Sequence, residues 1–435
     1  MNPILVGVIG TIVFFILLML RMPVSYAMAV VGFAGFSYMS SPDKAFKVLS
    51  QDFYAVFSSY SLTVAPTFIL MGFIAFYSGI GIGLFNLANK FLGHLRGGLA
   101  LAVQMACALF GTVCGSLPAT VATMGSIAIP EMKKHNYADS LSTACIAAGA
   151  SLGSLIPPSV LFIVYGIATE QSIGRLFLAG ILPGIMHMCI YMFTIFFLTT
   201  RDPSLAPVVP KASWKERLAA FRGGILEAGL VFFISLGGLF LGWFTPTEAG
   251  AVGAFSIFLI TFLEKRLDYT KFKQALGDTT KLTAMIFLLV AGATVFGRFY
   301  AITRIPFELS SWAAALDLPP FLIMGMVIVI YLILGMIIDA LPLILLTIPI
   351  FYPLVTDTLG YDPIWFGVII LLITSMAVMT PPVGVNVYIV KGVAKDVPLE
   401  TVFRGVWPFV FADLLAITIL IAFPAIATLL PDLLF

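Results

Sequence analysis

Two proline-centred stretches hold most of the side chains that could bind an ion or a solute: Gly153-Ser154-Leu155-Ile156-Pro157-Pro158-Ser159 and Met379-Thr380-Pro381-Pro382-Val383-Gly384-Val385-Asn386. Two shorter breaks accompany them, Cys114-Gly115-Ser116-Leu117-Pro118 and Ile338-Asp339-Ala340-Leu341-Pro342. The polar side chains on offer are Ser116, Thr120, Thr123, Ser154, Ser159, Thr380 and Asn386. Hydroxyls, an amide and freed carbonyls suit a hard cation such as Na⁺ and a polar solute. No paired carboxylates and no His or Cys cluster offer hydrolysis or redox chemistry, so no catalytic residue and no enzyme is expected. The four cysteines, Cys107, Cys114, Cys145 and Cys189, lie in apolar runs without CxxC spacing and read as small buried side chains.

Asp339 is the sharpest single residue, a carboxylate at the centre of a long apolar stretch, where ionisable groups are costly and functional by default. Its bland alternative is an N-cap for the helix that starts near Pro342. Glu248 has a purely local explanation, because Thr245-Pro246-Thr247-Glu248 is a capping box with Pro at the first helical position. Glu227 and Asp413 need neighbouring donors, and His187 reads as a hydrogen-bonded packing residue.

These residues must be held by membrane helices. Of 435 residues, 60% are hydrophobic and 10% charged, whereas an ordinary globular domain carries about 25% charged residues. A chain this long could not cover a water-facing surface with so few charges, which excludes soluble, nucleic-acid-binding and coiled-coil classes. The apolar N-terminal run from Pro3 to Leu20 has Arg21 after it and no basic residue before it, the reverse of a cleaved signal peptide, so it is expected to stay as a helix.

The lengths of the charge-free runs carry the next step. The run 97–130 is 34 residues, about 50 Å if fully helical, against a hydrocarbon core of ~30 Å. With a helix-breaking cluster at its centre it reads as a re-entrant hairpin, and the run 318–356 reads likewise. The Pro-Pro stretches lie inside runs 140–169 and 363–390 and predict crossing helices unwound near the middle.

The landmarks repeat. Leu117-Pro118 and Leu341-Pro342 are 224 residues apart, as are the two Pro-Pro pairs, and Gly180-Ile181-Leu182-Pro183 answers Gly405-Val406-Trp407-Pro408 at 225. A duplication accounts for this: residues 1–200 form one repeat, 201–222 a polar linker with an interfacial helix around Trp214-Leu218, and 223–435 the second repeat.

The loop after the first hairpin carries Lys133, Lys134 and His135; its counterpart from Asp357 to Asp362 has no basic residue. Equivalent loops of opposite charge character belong on opposite sides. Threading the chain with both termini outside places 18 basic residues inside and 5 outside, so the repeats are expected to be inverted. The fold class is an all-α polytopic membrane protein of two inverted repeats, each with a re-entrant hairpin and a broken helix.

Five ordered motifs, GSLPATVATMGSIAIPEMKK, SLGSLIPPSVLFIVYGIATEQSIGRLFLAGILPG, GWFTPTEAGAVGA, LGMIIDALPLILLTIPIFYPL and MTPPVGVNVYIVKGVA, span the chain. Together they resemble the large membrane (M) subunit of TRAP transporters, the DctM-like family. The resemblance implies an elevator-type carrier of the bacterial inner membrane that imports an organic acid with Na⁺. It implies two partners, a small four-helix membrane (Q) subunit and a periplasmic binding protein.

Carried over by residue, the resemblance implies one Na⁺ site at Gly115, Ser116, Gly149, Gly153, Ser154 and Pro157, and a second at Gly335, Asp339, Thr374, Met379, Thr380 and Pro381. Substrate would lie between them, near Ser116, Thr120, Ser159, Asp339, Thr380 and Asn386. Many members carry two serines at the first tip, where this chain has Ser116-Leu117-Pro118. The other readings are a stand-alone Na⁺-coupled carboxylate transporter of similar architecture, a channel and a membrane-embedded enzyme.

Inverted repeats make an accessibility prediction. In a background without native cysteines, a single cysteine beside Lys133 should react with an impermeant thiol reagent only from the cytoplasm, and one beside Asp357 only from outside; labelling of both from one side would refute the inversion.

Overall fold

The computed structural model describes residues 2–316 and 318–434, and they form helices joined by short turns with no strand among them. Helix starts follow local chemistry. Ser41 caps Pro42–Phe57, Asp268 caps Tyr269–Thr303 and Asp362 caps Pro363–Ala377, each side chain accepting an N–H that the first turn leaves unpaired. The Thr245 capping box forms as read, with the Glu248 carboxylate accepting from the Thr245 N–H at 2.8 Å. Six helices are long and apolar enough to cross a membrane, and up to eight when each bent pair is taken as one span.

The first hairpin is Gly98–Cys114 followed by Leu117–Lys134. Its tip turns at Gly115, whose φ of +59° favours glycine, and a Cβ there would run into the carbonyl of Pro158. The second hairpin is Pro320–Gly335 followed by Ala340–Pro353, with Asp339 as N-cap and its carboxylate accepting from the Ala340 N–H at 2.8 Å. An arm of 17 residues spans about 25 Å, so it traverses most of the hydrocarbon but ends on protein.

The first broken helix runs Asp139–Leu155 and Val160–Ala168, bent by 45° about a cis Pro157-Pro158. The second runs Pro363–Ala377 and Val385–Val393 about a cis Pro381-Pro382, with Gly384 at φ +62°.

Three contacts fix the relative direction of the broken helices. Asn386 Nδ2 donates to the Ala147 carbonyl at 3.2 Å, Ser154 Oγ and Ser375 Oγ lie 2.8 Å apart, and Tyr165 OH donates to the Pro363 carbonyl at 2.6 Å. As numbers rise along one helix they fall along the other, so the two are antiparallel and the repeats are inverted. Packing is reciprocal: Val385–Val393 seats on Leu117–Lys134, and Ala340–Pro353 seats on Val160–Ala168. The two repeats thereby interlock.

Around this centre, Val24–Met39 packs on Tyr269–Thr303 and Val64–Ser78 on Pro246–Leu263. Small residues set these crossings: a Cβ on Gly32 would approach the Phe296 backbone to 2.9 Å. The helix Tyr269–Thr303 is longer than its charge-free run 282–297, because it continues through the charged residues Lys271, Lys273, Asp278 and Lys281 at one end and Arg298 at the other. One expectation fails. Cys107, Cys114 and Cys145 are buried, but Cys189 is exposed, because its helix Ile173–Arg201 turns that face outward.

The buried acids find their donors. Glu227 meets Arg266 at 3.3 Å and Asp52 meets Arg298 at 3.3 Å. Asp413, fully buried on Leu399–Ala422, takes His187 Nε2 at 2.6 Å and the Tyr191 hydroxyl at 2.5 Å on one oxygen, and Tyr191 lies 3.2 Å from Ser151 Oγ. This network pins both repeats' later helices to the first broken helix. Asp413→Ala strands two buried donors and is expected to cost about 2–3 kcal/mol. A lowered thermal midpoint in detergent, partly restored by Asp413→Asn, is the expected result; an unchanged midpoint would remove the network from the stability argument.

Candidate functional site

Both hairpin tips and the first break converge on one cavity of about 540 Å³. Its walls are the first hairpin tip from Gly115 to Ala119, the second tip from Asp339 to Leu341, Ser154 with Val160 and Leu161 from the first broken helix, and two flanking helices. Those flanking helices contribute Phe73, Phe76 and Tyr77 on one side and Asp278, Lys281, Leu282 and Met285 on the other. Most of the lining is apolar, and the few polar groups therefore decide what can be held.

Three helices begin at this cavity: Leu117–Lys134, Val160–Ala168 and Ala340–Pro353. Their first turns carry unpaired N–H groups and the positive end of the helix dipole, a setting that favours an anionic oxygen. Ser159 caps Val160–Ala168, accepting from the Phe162 N–H at 3.4 Å, while Ser116 stands at the cap position of its helix with no side-chain bond to it. Asp339 is at once an N-cap and a cavity residue, which unites its two readings.

The breaks also loosen carbonyls. Pro157 and Pro158 supply no N–H for the carbonyls of Gly153 and Ser154, four residues earlier. In the second break the corresponding carbonyls are recaptured, that of Ala377 by the Thr380 N–H at 3.1 Å and that of Val378 by the Asn386 N–H at 3.0 Å. The two breaks are thus equivalent in sequence but unequal in spare acceptors.

Of the residues singled out from sequence, Gly115, Ser116, Ser154 and Asp339 line the cavity. The others support its walls. Gly149 packs against Gln104 and Cys107, Gly153 against Thr120 and Gly111, and Gly335 against Ala377, each at a distance a side chain would occupy. Thr120 donates to the Ser116 carbonyl at 2.8 Å, Thr374 to that of Leu371 at 3.1 Å and Thr380 to that of Met376 at 2.7 Å, so these hydroxyls are committed to their own helices. Met379 is buried, Pro157 and Pro381 form the cis bonds of the breaks, and Asn386 spans between the repeats.

Sequence reasoning passed over a further polar group. Tyr77 OH donates to Asp278 Oδ2 at 2.5 Å, and Lys281 lies 3.2 Å from Asp278 Oδ1. These side chains close one flank of the cavity. The i,i+3 pair Asp278-Lys281 was visible in the chain, but it resembles any solvated helix face until the fold sets Tyr77 opposite it.

A family model described as the tripartite ATP-independent periplasmic transporter, DctM component, matches residues 11–426. The chain is 35% identical to the C4-dicarboxylate TRAP transporter large permease protein DctM of Pseudomonas aeruginosa over 393 residues, covering 90% of this chain and 91% of that one. It is 32% identical to the sialic acid TRAP transporter large permease protein SiaM of Vibrio cholerae, covering 96% of each. The fold is similar to the crystal structure of the Alcanivorax borkumensis YdaH transporter, with a TM-score of 0.59, 15% identity, and 89% of this chain and 90% of that one covered. With helices of membrane-spanning length, inverted hairpins meeting at one cavity and relatives that match nearly end to end, this chain belongs to the large permease (DctM) family of TRAP transporters.

Proposed function

We propose that the chain imports an organic acid together with Na⁺ across a bacterial inner membrane, working with a small four-helix membrane subunit and a periplasmic binding protein. The observation that carries this reading is the pairing, in one cavity, of three helix N-termini with the Asp339 carboxylate. N-termini favour a carboxylate. Asp339 would repel it unless a cation stood between them, and such a cation makes acid and ion bind together. Ser116, Ser154 and the carbonyls of Gly153 and Ser154 offer oxygen ligands of the kind Na⁺ takes near the first tip. The second ion belongs near Asp339, with Gly335 and the Thr374–Pro381 region behind it.

The movement proposed is an elevator, in which the hairpins and broken helices travel as one body past the helices that bear Tyr77, Asp278 and Lys281. Reciprocal seating of each hairpin on the other repeat's broken helix supports a rigid moving unit. The cavity is flanked by Tyr77 and Lys281, on the side where Lys90, Lys271 and Lys273 also fall, which supports a cytoplasm-facing state with both termini periplasmic.

In proteoliposomes with partner subunits, Asp339→Ala should lower Na⁺-driven uptake about a hundredfold, the scale of one lost charge-assisted contact. Undiminished uptake by a folded variant would dismiss the role given to Asp339. A panel of dicarboxylates, keto acids and sialic acids, assayed with and without Na⁺, tests the coupling itself: uptake indifferent to Na⁺ would overturn it.

A further inference from the structure

A second cavity, of about 600 Å³, lies away from the transport site between the outer arm of the first hairpin and the helical segment that follows the linker. Leu109 and Thr112 form one wall; Phe221, Ile225, Leu226 and Phe233 form the other. The Thr112 hydroxyl is spent on its own helix, donating to the Leu109 carbonyl at 2.7 Å, so the groove is apolar throughout. Gly229 stands in it with open space: a Cβ there would meet no atom within 4 Å.

One ring beyond the groove wall at Phe221 is a cation without a counter-ion. Arg217, on the linker helix Trp214–Ala220, is 6% exposed, and its Nε and Nη2 have no hydrogen-bond partner. Its guanidinium stacks on Trp214 at 5.0 Å and Phe91 at 5.5 Å, and no acid lies within ion-pairing reach among the described residues. The neighbouring acid, Glu216, is already taken. Its carboxyl is pushed down to about 2 by the Ser213 N–H and hydroxyl and then by Lys90, which it meets at 3.2 Å. Phe91 joins cation to groove, because its ring packs edge-on against Phe221 at 5.8 Å. Trp214 and Leu218, 70% and 67% exposed, face outward on the same helix, as side chains at a membrane surface do.

We propose that this is a binding site for one anionic phospholipid, its phosphate on Arg217 and an acyl chain along the groove beside Gly229. An uncompensated guanidinium at the interface calls for an anionic oxygen, and a phosphate suits its planar fork. A continuous apolar channel leading into the hydrocarbon calls for a chain attached to that anion. Neither half of the site is explained by the other's ligand alone. Seated there, the lipid seals the seam between the hairpin arm and the segment 225–240.

The test uses the full chain purified from membranes in mild detergent, with phosphatidylglycerol as probe and native mass spectrometry as readout. Wild type should hold one phosphatidylglycerol and should not hold diacylglycerol, which has the chains without the phosphate. Arg217→Gln should weaken retention about tenfold or more, the scale of one lost charge-assisted contact. Gly229→Leu fills the groove and should displace the lipid while Arg217 is intact. Thermal midpoints confirm that both variants are folded. Equal retention by all three proteins overturns the site. Loss with Arg217→Gln but not Gly229→Leu, or displacement by millimolar inorganic phosphate alone, overturns the lipid in favour of a simple anion site. A photo-crosslinker at position 229 that captures the small subunit instead of lipid overturns it in favour of a protein partner.

Discussion

A backbone carbonyl or N–H left unpaired in hydrocarbon is expensive, and the fold is arranged around that cost. Four prolines interrupt two helices inside apolar runs, so the interrupted segments need partners from protein; Pro157 and Pro158 are buried, and Pro382 is exposed. The inverted duplication supplies that protein. The first tip turns against its own repeat's break at Pro158, Gly335 packs on Ala377 just before the second break, and Asn386 and Ser154 reach across between the antiparallel broken helices.

The same constraint shapes the cavity. Backbone that is irregular and covered on all sides but one is a binding surface on its open side. Here the open side is a cavity lined by three helix starts, a carboxylate and two serines. The two breaks differ, however. The carbonyls of Ala377 and Val378 are recaptured by local N–H groups, whereas those of Gly153 and Ser154 lose their ordinary donors to Pro157 and Pro158. The two breaks correspond in sequence, and local hydrogen bonding makes them chemically distinct.

Charge in the membrane follows a related rule. Asp413 is held by His187 and Tyr191 away from any cavity and serves to bind helices together. Asp339 makes a single hydrogen bond to its own helix and leaves its remaining acceptors turned to the cavity. Both are carboxylates in apolar runs; the number of donors committed to each separates an acid that ties helices together from one left open to the cavity.

Much was legible in the chain itself. Hydropathy and prolines located the hairpins and broken helices, because water-poor segments tolerate breaks only in such settings, and the 224-residue repeat with its charge asymmetry implied inversion. Gly115, Ser116, Ser154 and Asp339 were identifiable because they sit at those breaks. What the chain could not reveal were pairings between residues far apart along it, Tyr77 with Asp278, His187 with Asp413 and Arg217 with Phe91, nor that Thr120 and Thr380 spend their hydroxyls on their own helices. Breaks and periodicity are local properties of a chain in hydrocarbon and are written in order along it. Which polar group remains free depends on the neighbour that packing brings to it, and only the tertiary structure decides that.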